Sequence, residues 1–411
     1  MQQPFDPVLD SSVLDSSVFD GAVFDGSVFD SLVLERRPQT KSAGLLAWDA
    51  ADELLLGGLF ATRPEGPVLV VNDRFGALTL PLLRAGHEVT VFGDSRLAEL
   101  AIGENAQRSG LSTAQLRFVA STSPVIAPPV GFRSAVWRVP RTLSLLDAQV
   151  TALHGRFADG AAVFIGGMDK HTPPGASDHV APLGEITLIP RHRKARVFRL
   201  EPTDRPTAPD TTPDTAPDTA LVKHARDVRV VVGESELIVR GGPNVFSSDR
   251  LDRGTAFLVA QLAALPEAVA IADLGCGSGA LGIAAARLCP DAHVSFIDES
   301  YEAIATSRRN WTSNIVGRDA TFLVDDCLTA FTGEPFDVVL CNPPFHQDQI
   351  IGDTIAWRMF THSWRNLRPG GELWVVGNRH LGYHAKLRKI FGNCRPLAND
   401  PAFVALTATK R

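Results

Sequence analysis

From residue 270 onward, short runs of consecutive apolar residues alternate with stretches of helical period. Ala270–Asp273 reads as a strand entering a Gly-rich turn, Gly279–Leu288 as a helix, and His293–Asp298 as the next strand. Ser300–Asn314 reads as a helix, Thr321–Val324 and Asp337–Cys341 as strands, and Thr354–Asn366 as a helix ended by Pro369-Gly370-Gly371, before a strand over Glu372–Val376. Strands that are apolar throughout suit a sheet covered on both faces, so this alternation predicts an α/β domain with a mostly parallel sheet.

Residues 41–200 follow the same plan. "LVVNDRFGALTL" (69–80) lies over "IADLGCGSGALGI" (271–283), with Gly76 on Gly279. "VTVFGDS" lies over "VSFIDES", setting Asp94 over Asp298, and Asn105 falls near Asn310. "SAVWRVPRTL" (134–143) lies over "DVVLCNPPF" (337–345), with Val139 opposite Asn342, and "GAAVFIGG" (160–167) lies over "GELWVVGN" (371–378). Ordered matches at near-equal spacing predict a duplicated domain. The copies differ at Gly275 and Gly277, which become Asn72 and Arg74, and at Asn342. One working site is therefore expected, in the second copy.

Two segments break the pattern. Residues 6–35 repeat every five residues (DPVLD, SSVLD, SSVFD, GAVFD, GSVFD, SLVLE), which is neither a helical nor a strand period. Residues 1–40 are read as an acidic low-complexity tail, disordered in the free protein, with periodic apolar anchors for a partner as the alternative. Residues 201–220, rich in Pro, Asp and Thr, read as an extended linker between a first domain at 41–200 and a second at 221–411.

Charge alters the picture once the tail is set aside. The net charge is −6, yet the first 35 residues hold seven acids and no base. Between Gly352 and Arg411 stand ten Lys/Arg and three Asp/Glu, including Arg379, Lys386, Arg388 and Lys389. A second basic cluster is Arg191, His192, Arg193, Lys194, Arg196 and Arg199. Such clustering suits a phosphate-backbone partner. No apolar run reaches membrane-spanning length, the acidic N-terminus does not read as a secretory signal, with no basic stretch before an apolar one, and the five cysteines form no C-x-x-C pair. These features predict a cytoplasmic monomer without membrane or metal.

The chemistry concentrates in two motifs. Asp273-Leu-Gly275-Cys-Gly277-Ser-Gly279 follows a strand and opens a helix, so backbone amides and a helix N-terminus can meet polar groups of a ligand. Asp298, at the next strand end, is placed to accept two ribose hydroxyls, and Asp326 to lie against an adenine edge. The second motif is Asn342-Pro343-Pro344-Phe345. An exocyclic amine on a nucleobase is a poor nucleophile because its lone pair is delocalised. Fixed acceptors, the Asn342 side-chain carbonyl and the Pro343 backbone carbonyl, would hold both of its N–H bonds, and Phe345 would stack the base, worth roughly 1–3 kcal/mol. Positioning and charge stabilisation then supply the rate. The residues alone do not choose guanine over adenine.

These motifs resemble those of class I S-adenosylmethionine-dependent amino-methyltransferases. The duplication and the NPPFH form resemble the bacterial ribosomal RNA guanine-N2 methyltransferases, most of all the large-subunit (23S) branch. The resemblance implies two tandem Rossmann-like class I methyltransferase domains, the first degenerate and the second catalytic. It implies S-adenosylmethionine as donor, guanine N2 of ribosomal RNA as acceptor, and RNA held by Arg191, Arg193, Lys194, Arg379, Lys386, Arg388 and Lys389. "PNVFSSDRLDRGT" (243–255) resembles the family's segment before the Gly-rich strand, and carries Phe246, Ser247 and Asp252 over as pocket residues. Asn244 and the two low-complexity segments depart from the family pattern. Alternatives left open are a 16S rRNA guanine, adenine N6, a release-factor glutamine, and a non-catalytic RNA-binding assembly factor.

Overall fold

The structure is a computed structural model; it describes residues 27–39, 44–123, 131–203, 227–233, 235–245, 250–344 and 349–411. The chain divides into two compact units, formed mainly by the residues before and after position 220. Phe246, Ser247, Phe345 and the linker from 204 onward lie outside the described residues.

In the first unit the strands are β1 (Val68–Val71), β2 (Val89–Gly93), β3 (Leu116–Ala120), β4 (Phe132–Arg138), β5 (Phe157–Met168), β6 (Gly184–Leu188) and β7 (Ala195–Pro202). Its helices are α1 (Ala50–Ala61), α2 (Thr79–Arg84), α3 (Arg96–Arg108), α4 (Leu143–Leu153) and α5 (Ala176–Val180). The second unit opens with a hairpin, β8 (Asp227–Val232) and β9 (Ser235–Arg240). Its sheet holds β10 (Ala270–Leu274), β11 (His293–Asp298), β12 (Ala320–Val324), β13 (Phe336–Cys341), β14 (Leu367–Asn378), β15 (Arg395–Asn399) and β16 (Phe403–Thr409). Its helices are α6 (Arg253–Val259), α7 (Ala280–Leu288), α8 (Tyr301–Asn314), α9 (Gln349–Asn366) and α10 (Tyr383–Phe391).

The two sheets have one topology. Their orders are β3-β2-β1-β4-β5-β7-β6 and β12-β11-β10-β13-β14-β16-β15. In each, the first five strands run parallel and the last two pair antiparallel. The duplicated Rossmann-like fold expected from the repeat is present. β13 shows why a strand forms here: Val338, Val339, Leu340 and Cys341 are fully buried, which a run of apolar residues between two helical layers permits. α9 ends at Asn366 and β14 begins at once, so Pro369-Gly370-Gly371 lies within the strand and not between the elements, as expected above.

The ladders correct the alignment of the copies. With Gly76 on Gly279, Val68 falls on Ile271; Val68 pairs Ser134 while Ile271 pairs Val338, so Ser134 falls on Val338. Counting on, the counterpart of Asn342 is Arg138, and Val139 stands opposite Pro343. Val68 also pairs Val89 while Ile271 pairs Val294, so Gly93, not Asp94, stands at Asp298. Likewise Glu372 falls on Ala162, so 160–167 matches 370–377. Uniformly apolar parallel strands carry no alternation that could reveal a one-residue slip.

The predicted tail also ends earlier than residue 40. Phe29 is buried and stacks on Trp48 with ring centroids 4.5 Å apart. Asn105 donates to the carbonyls of Glu35 and Phe75, both at 2.8 Å. Asn310 does the same for Arg240 and Ser278, both at 2.9 Å. Residues 32–36 thus take the place in the first unit that β9 takes in the second, and both asparagines tie an incoming segment to the turn after the first strand.

Candidate active site

The order of the second sheet reverses between β10 and β13. A crevice forms outside the carboxyl ends of neighbouring strands at such a point. Leu274 pairs with Cys341 there, so the Gly-rich turn and Asn342-Pro343 leave the sheet side by side, though 67 residues separate Gly275 from Asn342 in the chain.

Gly275, Gly277 and Gly279 all take positive φ, at 74°, 53° and 81°. A Cβ on Gly277 would meet nothing within 4 Å, whereas one on Gly279 would lie 2.9 Å from Ser307. The first glycine of that pair leaves open space, and the second admits close packing of the helix. The N–H of Gly277 donates to Asp298 Oδ2 at 3.0 Å, and that of Ser300 to Asp298 Oδ1 at 3.0 Å. Ser300 itself caps α8 through Ala303. Asp298 therefore braces the Gly-rich turn from the adjacent strand end.

Asn342 is held from the start of α6. Its Nδ2 donates to Asp252 Oδ2 at 2.9 Å and to Thr255 Oγ1 at 2.8 Å. Asp252 is also the N-cap of α6, accepting from Thr255 N–H at 2.9 Å. A carboxylate only accepts, so it fixes which end of the amide faces it. The amide oxygen, Oδ1, is left buried without a hydrogen-bond partner among the described residues. Leaving such an acceptor unsatisfied costs about 1–3 kcal/mol, which a ligand N–H would recover. Thr255 escaped the sequence reading. Its signal was the D-x-x-T cap at Asp252, which reads first as a helix start.

Asp273 Oδ1 is the second such atom, buried without a partner, while Oδ2 accepts from Gly282 N–H at 2.8 Å. Burial pushes this carboxyl up to about 8; the Gly282 bond opposes that and the Asp298 charge adds to it. Burial likewise raises the Cys276 and Cys341 thiols well above the usual range, so neither is poised as a thiolate. Asp326 is buried and ion-paired with Arg358 of α9, a partner that spacing could not reveal.

The first unit has the corresponding crevice, but its own side chains take up the turn amides and the positions of Gly275 and Asn342. Asn72 keeps the left-handed backbone of Gly275, with φ 61°. Its Nδ2 donates to the Arg138 carbonyl at 2.7 Å and to Gln149 at 2.9 Å. Asp73, at the position of Cys276, accepts from the N–H groups of Phe75, Gly76, Leu78 and Thr79. The turn amides are thus spent on a carboxylate of the chain itself. Gly93 offers no carboxylate where Asp298 stands. Arg138, at the position of Asn342, is buried and ion-paired with Asp49 (2.9 Å) and Asp52. Those two stand where Asp252 and Thr255 stand in the other copy.

The expected RNA-binding residues are scattered. Arg191 and Arg193 lie within 3.7 Å of Asp169 and 3.2 Å of Glu53, and Arg196 within 3.1 Å of Asp169. Lys194 is exposed. Arg379 donates to the Asp400 carbonyl, Lys386 pairs with Asp353 at 3.1 Å, and Lys389 lies over the Trp357 ring. Arg388 and Lys389 form an exposed basic edge on α10.

Residues 26–204 match the RLMG N-terminal domain and residues 236–407 the methyltransferase small domain. A ribosomal RNA large subunit methyltransferase G from Pseudomonas aeruginosa (strain UCBPP-PA14) is 41% identical over 92% of this chain and 97% of its own length. The chain belongs to the ribosomal RNA large subunit methyltransferase G family. A member from Stutzerimonas stutzeri (strain A1501) is 40% identical over the same shares. Among solved structures, the T. thermophilus 16S rRNA N2 methyltransferase in complex with AdoMet and guanosine has the same fold. It superposes with TM-score 0.69 at 22% identity, over 92% of this chain and 98% of that one. The family's N-terminal and methyltransferase models fall on the degenerate and the open copy respectively.

Proposed function

We propose that the second unit transfers a methyl group from S-adenosylmethionine to the exocyclic N2 of a guanine in large-subunit ribosomal RNA. The carrying observation is Asn342 Oδ1, a buried carbonyl with no partner on an amide whose other end is pinned twice. Relatives named for the large ribosomal subunit point to that RNA, and the guanosine in the structural neighbour's complex points to the base.

The residues fit the donor. Asp273 Oδ1 is a vacant buried acceptor, Gly277 leaves open space, and Asp298 stands at a strand end for ribose hydroxyls. Asp326, set against Arg358, closes the adenine side. When bound, S-adenosylmethionine supplies an electrophilic methyl on a sulfonium. The chain's own part is to hold the amine. Asn342 Oδ1 and the Pro343 carbonyl accept its two N–H bonds, Phe345 stacks the base, and developing positive charge on nitrogen strengthens both bonds. The methylated nitrogen carries the positive charge and gives up one of its own two protons to water after transfer, so no strong base is required. Phe246 and Ser247 complete the pocket, and Arg191, Arg193, Lys194, Arg379, Lys386, Arg388 and Lys389 hold RNA backbone. A base within a stem is flipped out. No described helix is long and apolar enough to cross a membrane. The proposed place of action is the cytoplasm, and the proposed state a monomer.

Nucleoside mass spectrometry of 23S rRNA from cells lacking the gene tests this. One N2-methylguanosine disappears and returns with the wild-type chain; an unchanged complement of methylated guanines contradicts the reading.

Asp273 gives a pH-dependent consequence. Its folded value near 8 lies above the unfolded value of about 3.9. Between these the folded chain holds a proton that the unfolded chain releases, so this group's contribution to stability falls as pH rises through that window. A bound cation lowers the folded value and expels the proton. Calorimetry of S-adenosylmethionine binding at pH 7, in two buffers of different ionisation enthalpy, should show net proton release, and Asp273→Asn should abolish it. Equal heats in both buffers for the wild type would refute it.

A further inference from the structure

The crevice of the first unit has lost its cofactor fittings and gained cations. Arg74 follows β1, Arg141 follows β4, and Lys170 and His171 follow β5. These are the carboxyl ends of three neighbouring parallel strands, at the point where the strand order reverses. Arg74 stands where Gly277 stands in the other copy. Arg141 falls, three residues after Arg138, at the position of Phe345.

None of Arg74, Arg141 and Lys170 has a hydrogen bond or ion pair among the described residues, although Arg74 is only partly exposed. The two nearby carboxylates, Asp49 and Asp52, are already engaged by Arg138. Residues 124–130 carry no ionisable side chain. By contrast, Arg191, Arg193, Arg196 and Arg199 are each within 4 Å of a carboxylate of the same unit. Arg138 and burial lower the Arg74 guanidinium to about 10, against the opposing charges of Asp52 and Asp49, and Arg141 adds to the lowering. Burial, then the charges of Arg141, Lys170 and Arg74, lower His171 against the opposing charge of Asp49. Four cations, Arg74, Arg138, Arg141 and Lys170, thus share the two carboxylates of Asp49 and Asp52, both ion-paired with Arg138, and the excess positive charge calls for an anion.

We propose that this vestigial crevice is a phosphate-binding site for the RNA backbone, with Arg74, Arg141 and Lys170 as its cations and His171 as a hydrogen-bonding neighbour. Guanidinium groups suit phosphate because two parallel N–H donors match two oxygens. The duplication would thus have converted a cofactor pocket into an anchor for the acceptor. The inference rests on the reading of this chain as an RNA methyltransferase.

The test is RNA binding by full-length chain across a salt series, using a protein-free 23S rRNA fragment that the wild type methylates. Arg74→Ala/Arg141→Ala/Lys170→Ala should bind at least about tenfold more weakly at 0.1 M salt. The slope of log affinity against log salt should shrink by about 2 to 3, near 0.7–0.9 per lost contact. S-adenosylmethionine affinity, read by calorimetry, should not change. Arg141→Glu/Lys170→Glu alters exposed positions only and should weaken RNA binding further, which covers a fold defect at Arg74. An unchanged slope in both variants, while the wild type still methylates, overturns the proposal alone. Loss of tripolyphosphate binding with the RNA slope intact makes the site one for a small phosphate and overturns the RNA assignment. A wild type that neither binds nor methylates RNA overturns the parent reading as well.

Discussion

Replacing Asn342 with alanine should lower the rate of methyl transfer by at least about 100-fold while S-adenosylmethionine still binds. The magnitude follows from the job assigned to the side chain. Removing one preorganised group that stabilises developing charge in a desolvated site costs about 10²–10³ in kcat. The substitution also leaves Asp252 Oδ2 and Thr255 Oγ1 without the amide that joins them. Thr255→Val keeps Asn342 but removes one of its two tethers, so the amide loses orientation and the rate should fall about tenfold. The split separates the roles: both variants should lower kcat and leave KM for the donor within about threefold. If Asn342→Ala raised that KM and spared kcat, the residue would be a cofactor contact and not the holder of the amine. If it methylated at the wild-type rate, the mechanism would be wrong.

Arg138→Ala should destabilise the first unit by about 3–5 kcal/mol, because it strands the buried carboxylate of Asp52 and takes the partner from the partly exposed Asp49. For a unit of this size that lowers its Tm by about 8–15 °C. Asp49 is held below the usual carboxylate range by Arg138, against the pull of burial. Asp52 is raised by burial even with Arg138 present, and removing the guanidinium raises it further. A carboxyl whose folded value is raised binds more protons folded than unfolded. Its contribution therefore weakens as pH rises above the unfolded value. The Arg138→Ala unit should accordingly lose less relative to wild type at pH 5 than at pH 8, as read by thermal melts. Adding Asp52→Thr to Arg138→Asn copies the arrangement of the second unit and should recover at least half of the loss. A penalty under about 1 kcal/mol for Arg138→Ala would show that the ion pairs of Arg138 with Asp49 and Asp52 do not brace this unit.

Much of this was legible in the chain. Apolar runs and Gly-rich turns revealed the α/β alternation because parallel strands buried on both faces leave little room for polar residues. The duplication was visible because the turn after the first strand constrains its residues: Gly76 and Gly279 both need positive φ. What stayed hidden was register. Ser134-Ala-Val-Trp137 and Val338-Val-Leu-Cys341 read alike when slid by one, so the sequence sets Val139 against Asn342, whereas the ladders place Arg138 there. Partners across long separations were hidden as well. Thr255 lies 87 residues from Asn342, and Asp52 lies 86 from Arg138. The acidic repeat misled in its last turns, because a five-residue period gave no hint that Phe29 is buried against Trp48 while Val33 is half exposed.

The duplicated sites explain each other. In one copy an aspartate and a threonine hold an asparagine whose carbonyl is left vacant; in the other, two aspartates hold an arginine that leaves nothing vacant. The same fold tolerates both, so the vacancy at Asn342 is not needed for folding.

The most direct test is to incubate the purified chain with S-adenosylmethionine labelled in the methyl group and with 23S rRNA, protein-free and in large subunits, and to digest the RNA to nucleosides. The label should appear as N2-methylguanosine at one position, and Asn342→Ala should leave the RNA unlabelled. Label recovered as N6-methyladenosine, or no label from either substrate, would contradict the account.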